Sequence, residues 1–313
     1  MTTRVNRSMR FAIFQDSLLG GRQVNQDRVA YSYSPEAVLL VLADGMGGHL
    51  HGEIAAEIAV RITLSRFERE AKPRIAKPKE FLVDSMLAAH RAIEEHTQMH
   101  AMIESPRSTF VACLVQDKTA YWIHAGDSRL YLLRRGALIG RTKDHSRVQH
   151  LVDSGVISAK LAESHPDRNK IYSCVGGPSM PHFDLAEEHA LQQDDTFLLS
   201  SDGFWAQVEV EEIIQACAGR TIMEAMPELM LLAAERGGAT ADNTTVIAMT
   251  WEQRDPTTFT STISTATMPP GSVSSQLSVS LGDRRGGVED VSDEEIEKAI
   301  AEIQDAIKRY SKD

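Results

Sequence analysis

Apolar and polar positions along the chain fall into two textures. Residues 11–33 alternate loosely around a polar turn: F-A-I-F-Q-D-S leads in, L-G-G-R-Q-V-N-Q-D turns, and R-V-A-Y-S-Y leads out, which predicts two short strands. Next comes A-V-L-L-V-L-A-D-G-M-G-G-H (37–49), an apolar run without alternation that stops at Asp44 and a glycine-rich loop. Such a run, bounded by a turn signal, predicts a strand buried on both faces. From Gly52 the period changes. Ile54, Ile58, Ile62 and Phe67 fall near one helical face, and a second helix follows from about Phe81 after Pro73 and Pro78. From Ser108 the strand texture returns in S-T-F-V-A-C-L-V-Q, T-A-Y-W-I-H-A, R-L-Y-L-L-R and A-L-I-G-R, separated by hairpin-grade breaks. T-F-L-L-S-S predicts a further strand before Asp202-Gly203. Two helices are expected at about 209–218 and 221–236, and a last strand runs from Asn243 to Trp251. Two strand-rich blocks flanked by helix pairs imply an α/β (α+β layered) fold: an α-β-β-α sandwich of two mainly antiparallel sheets.

After Trp251 the pattern dissolves. Between Pro256 and Leu281, 13 of 26 residues are Ser or Thr, the composition of a flexible linker. S-D-E-E (292–295) then matches a capping box, and Ile296, Ile300, Ile303, Ile307 and Tyr310 form a two-heptad apolar seam. An isolated helix of this length is marginal in water, so it is expected to dock, either on the catalytic domain or on a partner. The division expected is 1–251 for the catalytic domain, 252–291 for the linker and 292–313 for the amphipathic helix.

The strand ends carry the chemistry. Asp27 sits in a turn between strands, Asp44 and Asp202 end strands before glycine, Asp127 follows Gly126 in a hairpin break, and Asp242 precedes the last strand. A single Asp-Gly reads equally well as a helix cap or a common turn. Five carboxylates at strand ends exceed what capping explains. An ionised carboxylate at the lip of a core needs a counter-charge, and no Lys or Arg lies within nine residues of Asp44. All-oxygen ligation suits magnesium or manganese rather than zinc. Two such ions activate water against a phosphorus centre, and Arg22 is the turn arginine placed to hold phosphate oxygens bidentately.

These residues lie in motifs whose order resembles the protein phosphatase 2C family of metal-dependent Ser/Thr phosphatases, in its bacterial form. The motifs are R-Q-V-N-Q-D (22–27), D-G-M-G-G-H (44–49), A-G-D-S-R-L-Y (125–131), K-D-H-S (143–146), H-P-D-R-N (165–169), S-S-D-G-F-W (200–205) and A-D-N-T-T-V (241–246). The resemblance implies that Asp44 bridges two metals and that the Gly45 carbonyl ligates the second. It implies that Asp202 and Asp242 hold the first, and that Asp27 reaches the shell largely through water. Asp127 would hold a third, weaker ion with Asp202, and Arg22 would bind phosphate. Residues 144–177 correspond to the family's variable flap. Two positions depart from pattern. Gln26 stands where an acidic residue is usual, and Met46 occupies the place of a histidine that looks like a general acid in animal members. His49 reads as peripheral rather than as that acid, His124 as a strand histidine, His145 and His165 as flap or loop residues, and Trp205 as packing near the site.

The implied activity is hydrolysis of phosphoserine and phosphothreonine on proteins by direct attack of a metal-bridging hydroxide, opposing a bacterial Ser/Thr kinase. The alternative is a phosphoprotein-binding regulator or scaffold recruited through its C-terminal helix. The net charge of -11 argues against nucleic acid or anionic membrane as partner. No apolar run reaches the ~18 residues of a membrane span. Cys113, Cys174 and Cys217 lack paired spacing, so reduced thiols and a cytoplasmic location are expected.

Overall fold

The computed structural model describes residues 9–46, 51–163, 165–251, 262–265, 268 and 271–277 of the 313. The chain divides into two units, 1–278 and 279–313, and every described residue belongs to the first. His49 and the helix expected at 292–313 lie outside the described residues.

The first two strands, β1 (Arg10–Leu18) and β2 (Asp27–Tyr33), are joined by the polar turn, and β3 is Ala37–Asp44. Helices α1 (Gly52–Glu70) and α2 (Pro78–Met99) follow, and then strands β4 (Phe110–Gln116), β5 (Thr119–Ala125), β6 (Arg129–Arg134) and β7 (Ala137–Arg141). The flap carries short helices α3 (Arg147–Asp153) and α4 (Ala159–Glu163), and two-residue strands β8 (Asp184–Leu185) and β9 (His189–Ala190) lead out of it. The remainder is β10 (Thr196–Ser200), α5 (Asp202–Trp205), α6 (Val210–Cys217), α7 (Ile222–Gly237), β11 (Thr244–Trp251), β12 (Thr262–Ser264) and β13 (Val273–Leu277). One sheet runs β12-β1-β11-β10-β6-β7. The other runs β13-β2-β3-β4-β5-β8, with β9 also on β5, and every recorded strand pair is antiparallel.

Burial on both faces accounts for the unbroken run in β3. Val38, Leu40 and Leu42 enter the core between the sheets with Val111, Cys113, Phe197, Leu199, Ile247 and Met249. The alternate residues Leu39, Val41 and Ala43 are equally buried on the other face, where α1 and α2 cover this sheet. Ile58, Ile62 and Phe67 form the buried seam of α1 with Ala55, Ala56 and Ala59, and Ile54 sits at its margin. On the far side, α6 and α7 bury Ile213, Met226, Leu229 and Met230 against Ala12, Leu198, Val246 and Ala248. The result is the four-layer sandwich expected from the pattern.

The Ser/Thr-rich stretch differs from the expectation of a linker. It contains β12, which pairs with β1, and β13, which pairs with β2, so one short strand extends each sheet. Thr265 Oγ1 accepts a bond from the Met9 N–H at 2.8 Å and donates to the Pro35 carbonyl at 2.8 Å. Ser and Thr counted as solvating residues conceal this, because Thr, Val and Ile are β-branched and suit an edge strand. Among the described residues no helix is long and apolar enough to cross a membrane.

The inter-sheet core gives a direct stability test. Replacing Leu40, fully buried in it, with alanine is expected to cost about 2–5 kcal/mol. A fall in urea midpoint at unchanged m-value would register that loss.

Candidate metal centre

The strand registers bring the aspartates together. Asp27 opens β2 and Asp44 closes β3, and the two are direct partners in the ladder. Asp202 lies two residues past the end of β10, in the first turn of α5, rather than on the strand itself. Asp242 precedes β11, the neighbour of β10. Asp127 occupies the turn by which the chain leaves β5 in one sheet for β6 in the other. All five therefore sit at one end of the sandwich.

Backbone bonds hold them there. Asp44 donates its N–H to Thr109 Oγ1 at 2.9 Å, and its carbonyl accepts from the Thr109 N–H at 2.8 Å and from Ser108 Oγ at 2.9 Å. Asp44 does not cap α1, which starts at Gly52 behind His51. Gly45 is required by space: a Cβ there would lie 2.4 Å from Gly52 backbone atoms and 2.8 Å from the Gln26 carbonyl. Its N–H donates to that carbonyl at 3.1 Å. Gln26 itself donates its side-chain amide to Glu53 at 3.0 Å.

Several residues of the quoted motifs support the site in roles the sequence did not specify. Asn243 Oδ1 accepts the Gln26 N–H and its Nδ2 donates to the Leu19 carbonyl, both at 2.8 Å, so one amide ties the β1–β2 turn to the start of β11. Asn25 Oδ1 accepts the Asp27 N–H at 3.0 Å. Trp205 donates its indole N–H to the Asp127 carbonyl at 2.9 Å, and the Arg129 guanidinium lies 3.6 Å above the Trp205 ring. Arg129 is itself held by both oxygens of Asp144, at 2.9 and 2.8 Å. Only the polar A-D-N-T-T opening of an apolar strand marked Asn243 in advance. Arg22 stands at the rim, with Nη2 2.6 Å from Asp242 Oδ2 and side chains 51% and 38% exposed. Water screens a pair that open, so it adds little stability.

Comparison with known proteins fits this geometry. The protein phosphatase 2C family model matches residues 15–228, more than half of the chain. The chain belongs to the protein phosphatase 2C family. It is 35% identical over 246 residues to "Serine/threonine protein phosphatase PstP" of Mycobacterium tuberculosis, covering 78% of this chain and 45% of that protein. It thus spans about half the length of that mycobacterial relative. It is 31% identical over 213 residues to "Serine/threonine phosphatase stp" of Listeria monocytogenes, covering 67% of this chain and 82% of the relative. The crystal structure of the PstP catalytic domain in complex with two manganese ions superposes with TM-score 0.64 at 32% identity, covering 78% of this chain and 99% of that one.

The donor set of this family member suits the divalent ions of a metal-dependent family. Burial pushes the Asp44 carboxyl well above its ordinary range, and Asp27, Asp202, Asp127 and Asp242 push it further. Asp27 is raised to about 7, chiefly by burial and also by Asp202. Asp202 is raised to about 6, by burial and then by Asp242. Asp127 is also raised well above the usual range, by burial and then by Asp202 and Asp144, while Arg129 opposes the shift. Neither oxygen of Asp27 has a protein partner in hydrogen-bonding geometry, although the Thr245 and Ser201 hydroxyls stand beside it. Buried acids that repel one another and lack a cation are what a divalent ion relieves. No three of these acids have oxygens all within 4.8 Å of one another. Among the described residues, the compact group of three donors within 4.8 Å of one another is instead His124, His145 and Asp184.

The raised carboxylates set the sign of a pH effect. The native state holds protons that the unfolded chain releases near pH 4, so stability is full below that value and is lost as pH rises toward the folded values of about 6 and 7 for Asp202 and Asp27. Chelator-treated protein is expected to melt lower at pH 8 than at pH 5, and manganese should restore the loss at pH 8. Asp44→Asn should raise the chelated melting temperature at pH 8 by a few degrees and blunt the response to manganese. Differential scanning fluorimetry in both buffers reads each effect.

Proposed function

We propose that this chain is a manganese- or magnesium-dependent phosphatase acting on phosphoserine and phosphothreonine in proteins. The observation that carries the reading is the meeting of five aspartates from both sheets at one end of the sandwich, with Asp27 buried and unpartnered. Asp44, Asp202, Asp242, Asp27 and the Gly45 carbonyl would hold two ions, and Asp127 with Asp202 would hold a third, weaker one. Divalent ions bound there supply an acidified water and positive charge against the phosphoryl oxygens. Arg22, at the rim, binds the phosphate oxygens through its fork of N–H donors. Gln26 brings a hydrogen-bonding amide without charge, and so contributes orientation but no electrostatic affinity for a cation.

The three cysteines are not rival nucleophiles. Burial pushes the Cys113, Cys174 and Cys217 thiols up, Cys217 to about 11, which suppresses the reactive thiolate. That leaves direct attack of water on phosphorus. A regulator that only binds phosphoproteins has no physical need for carboxylates that raise one another's pKa. Phosphorylated proteins are the proposed partners, a bacterial-type Ser/Thr kinase and its substrates among them, and residues 292–313 would dock either on a partner or on the catalytic domain. The free cysteines support a reducing, cytoplasmic setting.

Hydrolysis of a phosphothreonine peptide, measured with manganese, magnesium and chelator, tests the proposal. Turnover should require the metal and fall at least about a hundredfold in Asp44→Ala and Asp202→Ala. Arg22→Ala should lose about 10- to 100-fold in kcat/KM, the worth of a charge-assisted hydrogen-bond pair. A folded wild-type protein that turns over nothing with either metal would sink the enzyme reading.

A further inference from the structure

His145 lies outside the carboxylate cluster yet grips the turn that carries Asp127. Its backbone N–H donates to the Gly126 carbonyl at 2.9 Å, and its imidazole Nδ1 accepts the Gly126 N–H in a long bond of 3.3 Å. These two bonds straddle the Gly126 Cα, one to the peptide on each side, and together restrain its φ and ψ. Gly126 needs such restraint from outside. Its φ of +109° is closed to ordinary side chains, and a Cβ would meet Thr109 Cγ2 at 2.8 Å, so no side chain of its own can limit its freedom. The aim of Asp127 follows from that backbone.

The other edge of the ring faces the segment that follows the flap. His145 Nε2 lies 3.4 Å from Asp184 Oδ2, and the ring stacks on His124 at 4.5 Å between centroids. The His145 carbonyl accepts the Tyr172 N–H at 2.9 Å. His145 and His124 are only 2% and 3% exposed, so their proton positions are set by fixed partners. Nδ1 of His145 accepts, which leaves its proton on Nε2, near the Asp184 carboxylate but without a hydrogen bond of good geometry to it. Nε2 of His124 meets the Lys143 carbonyl at 2.7 Å, which leaves a lone pair on its Nδ1. A metal held by this trio would need lone pairs on both facing nitrogens. His145 could offer one only by turning an Nδ1–H against the Gly126 N–H. The tautomers selected by the Gly126 N–H and the Lys143 carbonyl put a proton on His145 Nε2 and so do not suit zinc, although His145 Nε2 and His124 Nδ1 have no hydrogen-bond partner of good geometry. Burial and the neighbouring His124 hold the His145 pKa down at about 4, which keeps the ring neutral.

We propose that His145 is a positioning residue: its backbone N–H and imidazole Nδ1 fix the Gly126 backbone and so the aim of the Asp127 carboxylate. The inference rests on the phosphatase reading of the carboxylate site.

Three substitutions separate this role from simple space-filling. His145→Asn places an amide oxygen about where Nδ1 sits and keeps the acceptor for Gly126. His145→Gln fills more of the volume but carries its amide out toward the Nε2 position. His145→Ala keeps neither. Two readouts need no turnover: hydrogen exchange at the Gly126 amide, and the manganese concentration that half-saturates the rise in melting temperature. His145→Gln and His145→Ala should speed exchange and raise that concentration about 10- to 100-fold, as loss of a ligand's supporting bonds does. His145→Asn should stay within about threefold of wild type. Equal behaviour of the three variants, whether all resemble wild type or all are impaired, overturns the inference. Zinc that copurifies with wild type and is lost in His124→Ala overturns it too, because it demands the opposite tautomer. Failure of the phosphatase reading shows separately, as wild-type protein without metal-dependent turnover, and Gly126 exchange still reads the clamp in that case.

Discussion

Two aspartates stand opposite each other in the β2–β3 ladder, Asp27 against Asp44, and much of the molecule is arranged around that juxtaposition. Like charges facing across neighbouring strands destabilise a sheet, and burial adds the cost of desolvating them. Nothing in the immediate ladder offsets this. Support comes from the core behind the pair, where Val38, Leu40 and Leu42 interlock with Phe197, Leu199 and Ile247 of the opposite sheet. It also comes from the bonds that Thr109, Ser108 and Asn25 make to the backbone of the two aspartates. A cation bound there would relieve the repulsion, and metal affinity and fold stability would then be linked in one equilibrium.

The same core explains what the sequence discloses. β3 was legible because both of its faces are buried, which removes alternation and leaves a run that only a central strand explains. The helices were legible from their period, and their observed bounds fall within a residue or two of the expected ones for α6 and α7. The aspartates were visible because glycine and strand ends flag them. Their partners were not. Asn243 and Thr109 are ordinary strand-start residues whose role depends on which chain segments meet, and pairing register does not follow from one strand's pattern. β12 and β13 were hidden for a different reason. Short, partly exposed edge strands need no apolar alternation, so Thr262–Ser264 and Val273–Leu277 read as tail.

Asp127 shows how the two sheets are made to cooperate. It is carried by the turn that crosses from one sheet to the other, and that turn is braced from two sides. Trp205, packed under Arg129, holds its carbonyl, and His145 brackets the glycine before it. The Arg129–Asp144 pair is bidentate and partly buried, a geometry that fixes direction as well as distance. Bracing of this kind would be unnecessary for a hairpin whose only task is to join strands. Glycine at 126 makes sense in that light: it admits the close approach to Thr109, and the lost stiffness returns through neighbours.

Exposure then divides the labour across the molecule. Val156, Leu161, Tyr172 and Met180 lie open on and just beyond the flap, where a substitution leaves the core untouched and the stability change is small. Gly45 and Gly126 have no such latitude, since a single methyl group would strike backbone or side-chain atoms within 3 Å. Substitution is therefore tolerated on the exposed flap and closed at the two glycines beside the carboxylates. His145 sits on the boundary between the two, with its carbonyl bonded to Tyr172 of the open segment and its ring to Gly126 of the closed one. A change on the flap that displaced Tyr172 would reach Gly126, the residue before Asp127, through His145 alone.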